Sequence, residues 1–140
     1  MQTRAATRVA LLQQVFSEPE AVIARRISHC IAQAASSEHG PWPELLQTVC
    51  SAMSTGLAQA CTALFILEQL PDYSPELMHG NAMNLLPVYS GALEPSQDLK
   101  IRVAALKAMG CKFVEVETHA EMKAAISPNT VLMLFLGDAL

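Results

Sequence analysis

The chain of 140 residues is 51% hydrophobic and 16% charged, enough for one core and for apolar surface that meets something beyond it, such as neighbouring repeats. A formal net charge of −4, with lysines and arginines scattered rather than striped, excludes a nucleic-acid interface built on an electrostatic footprint. Cys30, Cys50, Cys61 and Cys111 form no CxxC pair and no zinc-ligand spacing, and the first three read as small buried hydrophobes in apolar helices of a reducing, intracellular compartment.

From Thr3 to Phe16, the residues Ala6, Val9, Leu12 and Phe16 recur at helical spacing, widened by Ala5, Ala10 and Leu11. SEPE at 17–20 reads as a helix start, with Ser17 as N-cap, Pro19 early, and Glu18 and Glu20 in the first turn. The second helix places Val22, Ile23, Ile27, Cys30, Ile31 and Ala34 on one side, flanked by Arg25 and Arg26, and ends in SSEHG. HGPWPELLQTV at 39–49 then sets the only tryptophan between two prolines. Pro43 suits a first helical turn, Pro41 holds Gly40 and Trp42 out of the preceding helix, and Trp42 becomes an apolar wedge between neighbouring helices.

The third helix, about Trp42 to Met53, turns Leu45, Leu46, Val49, Cys50 and Met53 inward before Ser54, Thr55 and Gly56 break it. A fourth, about Leu57 to Leu70, carries Leu57, Ala60, Cys61, Leu64, Phe65 and Leu67. PDYSPEL stops it and starts a fifth, with Ser74 as N-cap and Pro75 at the first helical position. That helix runs to about Ala92, and its Gly80 and Pro87 predict a bend near its last turns. Gln97 to Met109 is a sixth, with Ile101, Val103, Ala104, Leu106 and Ala108, and Gly110 ends it.

Folding the chain at each pair of helices exposes a repeat. The second helices align as ARRISHCIAQAA, AQACTALFILEQ and IRVAALKAMG, with Arg26, Gln59 and Arg102 in register at offsets of 33 and 43 residues. One such pair cannot bury its apolar face, whereas stacked pairs share a continuous core. The segment from about Val9 to Met109 resembles the HEAT repeats of the importin-β (karyopherin-β) family of nuclear transport receptors. The pieces that carry this are ARRISHCIAQAA, the WPELLQTV helix start after a polar turn, and QACTALFILEQLP. Asp98 and Arg102, in QDLKIRVAALKAMG, look like the Asp–Arg pairing of HEAT second helices, and Gln59 departs from the usual basic residue.

The tail changes period. CKFVEVE alternates like a strand, THAE at 118–121 is a capping box, and VLMLFL at 131–136 reads as a strand buried on both faces. This strand–helix–strand pattern resembles a fragment of fold-type I pyridoxal-phosphate enzymes of the selenocysteine-synthase-like branch. None of Lys100, Lys107, Lys112 and Lys123 stands in the surroundings of a Schiff-base lysine.

The fold class read from the sequence is therefore mainly α: an α-solenoid of about three HEAT-like pairs over residues 1–110, with a β-α-β-like tail over 111–140. No catalytic, cofactor or metal residue is nominated. His29 adjoins Cys30, but neighbours on a helix point about 100° apart and cannot form a Cys–His pair. Arg25, Arg26, Trp42, Asp98 and Arg102 are the candidates for partner binding or inter-repeat contact. The importin-β resemblance implies a binding scaffold in cytoplasm and nucleus, without cofactor or membrane. Its implied partners are cargo, the GTPase Ran and Phe-Gly nucleoporins. A degenerate pyridoxal-phosphate enzyme fragment and a purely structural helical domain are the alternatives.

Overall fold

Wherever apolar residues recur every three or four positions, the chain is helical. The computed structural model describes residues 2–110 and 117–126, and every regular element among them is a helix. In chain order these are α1 (Gln2–Ser17), α2 (Ala21–Ala34), a 3-10 turn (Ser37–His39), α3 (Pro43–Ala52) and α4 (Leu57–Tyr73). There follow α5 (Pro75–Gly80), α6 (Ala82–Ala92), α7 (Leu99–Ala108) and α8 (His119–Ala125). The two expected strands fall outside the described residues, apart from Glu117, which lies in a bend.

The helices pair as the repeat requires. α1 packs on α2, α3 on α4, and α6 on α7, while the second helices α2, α4 and α7 lie side by side with α4 in the middle. Ala60, Ala63, Leu64, Ile66, Leu67 and Leu70 of α4 are fully buried in a core shared with Val15, Ile31, Leu45, Val49 and Ala105. Burial of this kind, at roughly 25 cal/mol per Å² of apolar surface, is the main force holding the pairs together.

Three local expectations fail for physical reasons. Ser17 ends α1 instead of capping α2: its hydroxyl donates to the Gln13 carbonyl (2.8 Å), and Glu20 takes the N-cap position without a side-chain bond. The buried face of α2 is Ala24, Ser28, Ile31 and Ala32, whereas Val22 (66%), Ile23 and Cys30 are exposed. Small residues let α2 approach α4 closely, and the Ser28 hydroxyl is satisfied within the helix by the Ala24 carbonyl at 2.8 Å. The expected fifth helix is two, α5 and α6, separated at Asn81. The Asn81 amide donates to the Leu77 carbonyl (2.8 Å), filling an acceptor that the helix end leaves free. Pro87 stays inside α6 at an exposed position, where its missing N–H leaves the Met83 carbonyl without its helical donor.

Other punctuation follows the sequence. Pro43 and Pro75 occupy first-turn positions of their helices, and Gly110 ends α7 in the left-handed region at φ +84°. Thr118 and Glu121 form the capping box of α8, with the Thr118 hydroxyl accepting from the Glu121 N–H at 3.1 Å. The backbone N–H groups of Glu117 and Thr118 hold the Glu121 carboxyl below its ordinary pKa. Ser74 is positioned as the N-cap of α5, but its buried hydroxyl donates instead to the Ala35 carbonyl and ties the α4–α5 corner to the end of α2.

This packing predicts a sharp contrast between two truncations. Leu64→Ala lowers the unfolding free energy by about 3 kcal/mol through lost burial and a residual cavity. Met83→Ala, at an 80% exposed position, changes it by less than about 0.5 kcal/mol. Urea titration of both variants, followed by far-ultraviolet circular dichroism, measures the difference.

Candidate functional site

Two cations of α1 organise the passage from the first pair to the second. The Arg8 guanidinium donates to the carbonyls of Pro41 (2.7 Å), His39 (3.0 Å) and Gly40 (3.1 Å), with a longer contact to Ala34 (3.4 Å). It also lies over the Trp42 ring, 5.0 Å from the centroid. Arg4, one turn earlier, donates to the His39 carbonyl at 2.9 Å. The turn needs this clamp because α2 leaves its terminal carbonyls without helical partners, and Gly40, at φ +80°, aims further carbonyls to the same side. Trp42 itself is buried in the common core. Sequence reasoning nominated Trp42 but missed Arg4 and Arg8, whose i,i+4 spacing on one helix is the only local signal of shared work.

The second-helix layer carries the remaining nominated arginines. Arg25 lies over the Phe65 ring of α4 at 5.5 Å, and His29, one turn on, meets the same ring edge-on at 5.5 Å and 85°. His29 is thus an aromatic partner of Phe65, and the neighbouring Cys30 is an exposed thiol. Arg26 is exposed on the same helix. The contact level across α2 and α4 is set by Phe65, more than a turn beyond Gln59, so the sequence register of Arg26 with Gln59 is not the spatial one. Asp98 is the N-cap of α7, where its carboxylate accepts from the Lys100 N–H at 2.8 Å. The Arg102 backbone bonds to the Asp98 carbonyl (3.1 Å), while its side-chain Nε is buried with no hydrogen-bond partner.

The first-helix layer is different in kind. Residues 77–93 contain no Asp, Glu, Lys or Arg, yet only Leu85 and Ala92 of α6 are buried. Met83 and Leu86 stand 80% and 54% exposed. Two shallow clefts border α6, neither of them lined by Met83 or Leu86. One, of about 270 Å³, runs between Pro43, Leu46 and Cys50 of α3 and Asn84 and Leu85 of α6. The other, of about 220 Å³, lies between Met53, Pro87, Val88 and Ile101. Both fall below the ~300–1,000 Å³ of small-molecule pockets and suit a single inserted side chain.

Among the described residues no group of His, Cys, Asp and Glu is placed to hold a metal, and no helix is long and apolar enough to cross a membrane. Burial pushes the Cys50 thiol above its ordinary pKa. Cys61 is raised by burial first and then by the Asp98 charge, with Lys100 opposing.

Two outcomes follow from this geometry. Arg8→Ala removes the donor from the part-buried Ala34 and Gly40 carbonyls and costs about 2 kcal/mol, and Arg8→Lys recovers less than half because an ammonium lacks the planar fork. Fluorescence of the sole tryptophan shifts to the red in Arg8→Ala and reports the clamp directly. In alkylation with iodoacetamide read by peptide mapping, Cys50 and Cys61 lag behind exposed Cys30 near neutral pH. The lag shrinks as alkaline pH generates their thiolates, the direction that a raised thiol pKa requires.

Against known proteins, the chain matches the family model described as IPO5-like, TPR repeats, over residues 19–136. No curated protein and no solved structure matches it. The resemblance of the tail to pyridoxal-phosphate enzymes finds no support in these comparisons, and the family matched is one of helical repeats, not of enzymes. With its paired helices and a match over most of its length, the chain belongs to the IPO5-like repeat family, within the importin-β-like repeats.

Proposed function

We propose that the chain is a protein-interaction scaffold of the nuclear transport receptor type, acting by binding without chemistry. On this reading residues 1–110 are the binding unit and 111–140 a separate tail. The first-helix layer meets Phe-Gly nucleoporins, the second-helix layer meets cargo and the GTPase Ran, and the protein works in cytoplasm and nucleus.

The observation that carries the reading is the surface around α6. An uncharged helix that exposes Met83 and Leu86 and borders two small clefts gives a scaffold apolar surface with places for single side chains. Phenylalanines spaced along a flexible, uncharged peptide fit it, since each ring offers apolar area at low entropic cost. Nothing in this face asks for a charged ligand. Trp42 and Asp98 have structural roles here, as core wedge and helix cap, and Arg25, Arg26 and Arg102 remain as partner-facing groups.

The test is titration of a Phe-Gly repeat peptide into the isotope-labelled chain, followed by NMR shifts. Shifts are expected at Met83, Leu86 and Leu46, and Met83→Glu with Leu86→Glu abolishes them while leaving the Trp42 emission unchanged. A parallel capture assay measures Ran in its GTP- and GDP-bound forms. Absence of shifts at the highest soluble peptide concentration, together with equal or no capture of the two forms of Ran, leaves a helical domain without a transport role.

A further inference from the structure

α5 and α6 are two halves of one first helix, and they serve different partners. α5 packs on α4, with Leu77 and Met78 half-buried against the common core. α6 packs on α7 and buries Leu85 and Ala92. The bend between them is the point at which the first helix changes partner.

That bend rests on one residue. In an unbroken helix the Asn81 N–H would donate to the Leu77 carbonyl, four residues back. Here the Leu77 carbonyl accepts the Asn81 side-chain amide (2.8 Å), and the Asn81 N–H turns to the Met78 carbonyl, three residues back (3.3 Å). The Asn81 carbonyl accepts from the Asn84 and Leu85 N–H groups, both at 3.0 Å, and so starts α6. Side chain and main chain of one residue compete for a single acceptor, and the side chain holds it. The neighbouring Gly80 imposes no bend of its own: it is outside the left-handed region, and a Cβ added there would meet nothing within 4 Å.

Asn81 also stands at the cleft of about 270 Å³, with Asn84 and Leu85 on its own side and Pro43, Leu46 and Cys50 of α3 on the other. α3 and α6 are successive first helices, yet they are not among the closely packed pairs. Closing an empty apolar cleft removes surface from water and is favourable, so such a cleft persists only where the framework holds its walls apart.

We infer that Asn81 is the positioning residue of this cleft. By occupying the Leu77 carbonyl it keeps α5 and α6 as two helices and holds Asn84 and Leu85 away from α3. As a statement about binding this rests on the first-helix layer being a binding face. As a statement about the cleft it is independent of what fills it.

Cys50 reports the cleft because it lines it, and Cys61, which lines neither cleft, is the internal reference. The intact chain and its variants are alkylated with iodoacetamide at one pH, and peptide mapping gives the ratio of the Cys50 rate to the Cys61 rate. Asn81→Ala frees the Leu77 carbonyl for the backbone, joins α5 to α6 and lowers the ratio several-fold, and hydrogen exchange at the residue-81 N–H slows. Asn81→Ser keeps a hydroxyl that donates to the carbonyl four residues back, and retains the parent ratio. Both variants remove the same part of the cleft wall, so the donor alone separates them, and both keep the Trp42 emission. Gly80→Ala leaves the ratio at the parent value. Where a Phe-Gly peptide shifts Leu46 in the parent, Asn81→Ala loses that shift and Asn81→Ser keeps it. An equal or higher ratio in Asn81→Ala overturns the assignment, as does an equal fall in Asn81→Ser. So does a fall in Gly80→Ala that matches Asn81→Ala, since helix propensity and not the Asn81 bond would then set the bend. The alkylation ratio involves no peptide, so the role of Asn81 and the Phe-Gly reading fail separately.

Discussion

The arrangement depends on the enclosure of α4. Its fully buried residues, Ala60, Ala63, Leu64, Ile66, Leu67 and Leu70, fill one broad arc of about 160°, and every other residue from Gln59 to Gln69, Cys61 and Phe65 among them, is half-buried. A helix with no exposed side along that length has to be enclosed on most sides, which no single partner helix can do. α3, α2 and α7 each take part of the surface, and α1 and α5 close the remainder. Once α4 is fixed in the middle, the side-by-side order of the second helices follows, and with it the separation of the molecule into a first-helix and a second-helix face.

Enclosure alone leaves the angle between successive pairs undetermined, because apolar contact is non-directional. Direction comes from polar links that work only in one geometry. Arg8 gathers the turn carbonyls against the Trp42 ring, and the Ser74 hydroxyl reaches back across 39 residues to the Ala35 carbonyl. Both links engage backbone acceptors that the end of α2 leaves free, the Ala34 and Ala35 carbonyls among them. The first pair is thereby joined to the second by α1 at one point and by the α4–α5 corner at another. Trp42 contributes area, and Arg8 gives that area its orientation.

Much of this was legible in the sequence. Helix count through α4, the proline-marked starts at Pro43 and Pro75, the glycine stop at Gly110 and the Thr118–Glu121 box are local chemistry, and the residues that decide them are adjacent. What was hidden depends on partners distant in the chain. The face of α2 was misread because Val22 and Ile23 are more apolar than Ala24 and Ser28, yet close approach to α4 selects the smaller residues. The break at Asn81 was hidden because an asparagine both interrupts a helix and repairs the interruption by its own bond to Leu77. The Arg8 clamp was invisible since its acceptors are main-chain carbonyls, which leave no trace in residue identity. The same holds for Arg25 and His29, whose shared partner, Phe65, belongs to another helix.

The two faces differ because the same folding problem is solved on them with different residues. On α2 the core takes small side chains, so arginines and exposed valine and isoleucine are left outside. On α6 the core takes Leu85 and Ala92, so methionine, leucine and proline are left outside, and no charge accompanies them. Neither remainder contributes to burial, and each is retained at some cost in solubility or self-repulsion. A chain that only had to be stable would carry mixed charge on both faces. Arginines and an aromatic contact on α2, and no charge at all on α6, divide the surface into regions that attract different chemistries. Because the regions lie on opposite layers of one rigid core, occupation of one does not sterically prevent occupation of the other.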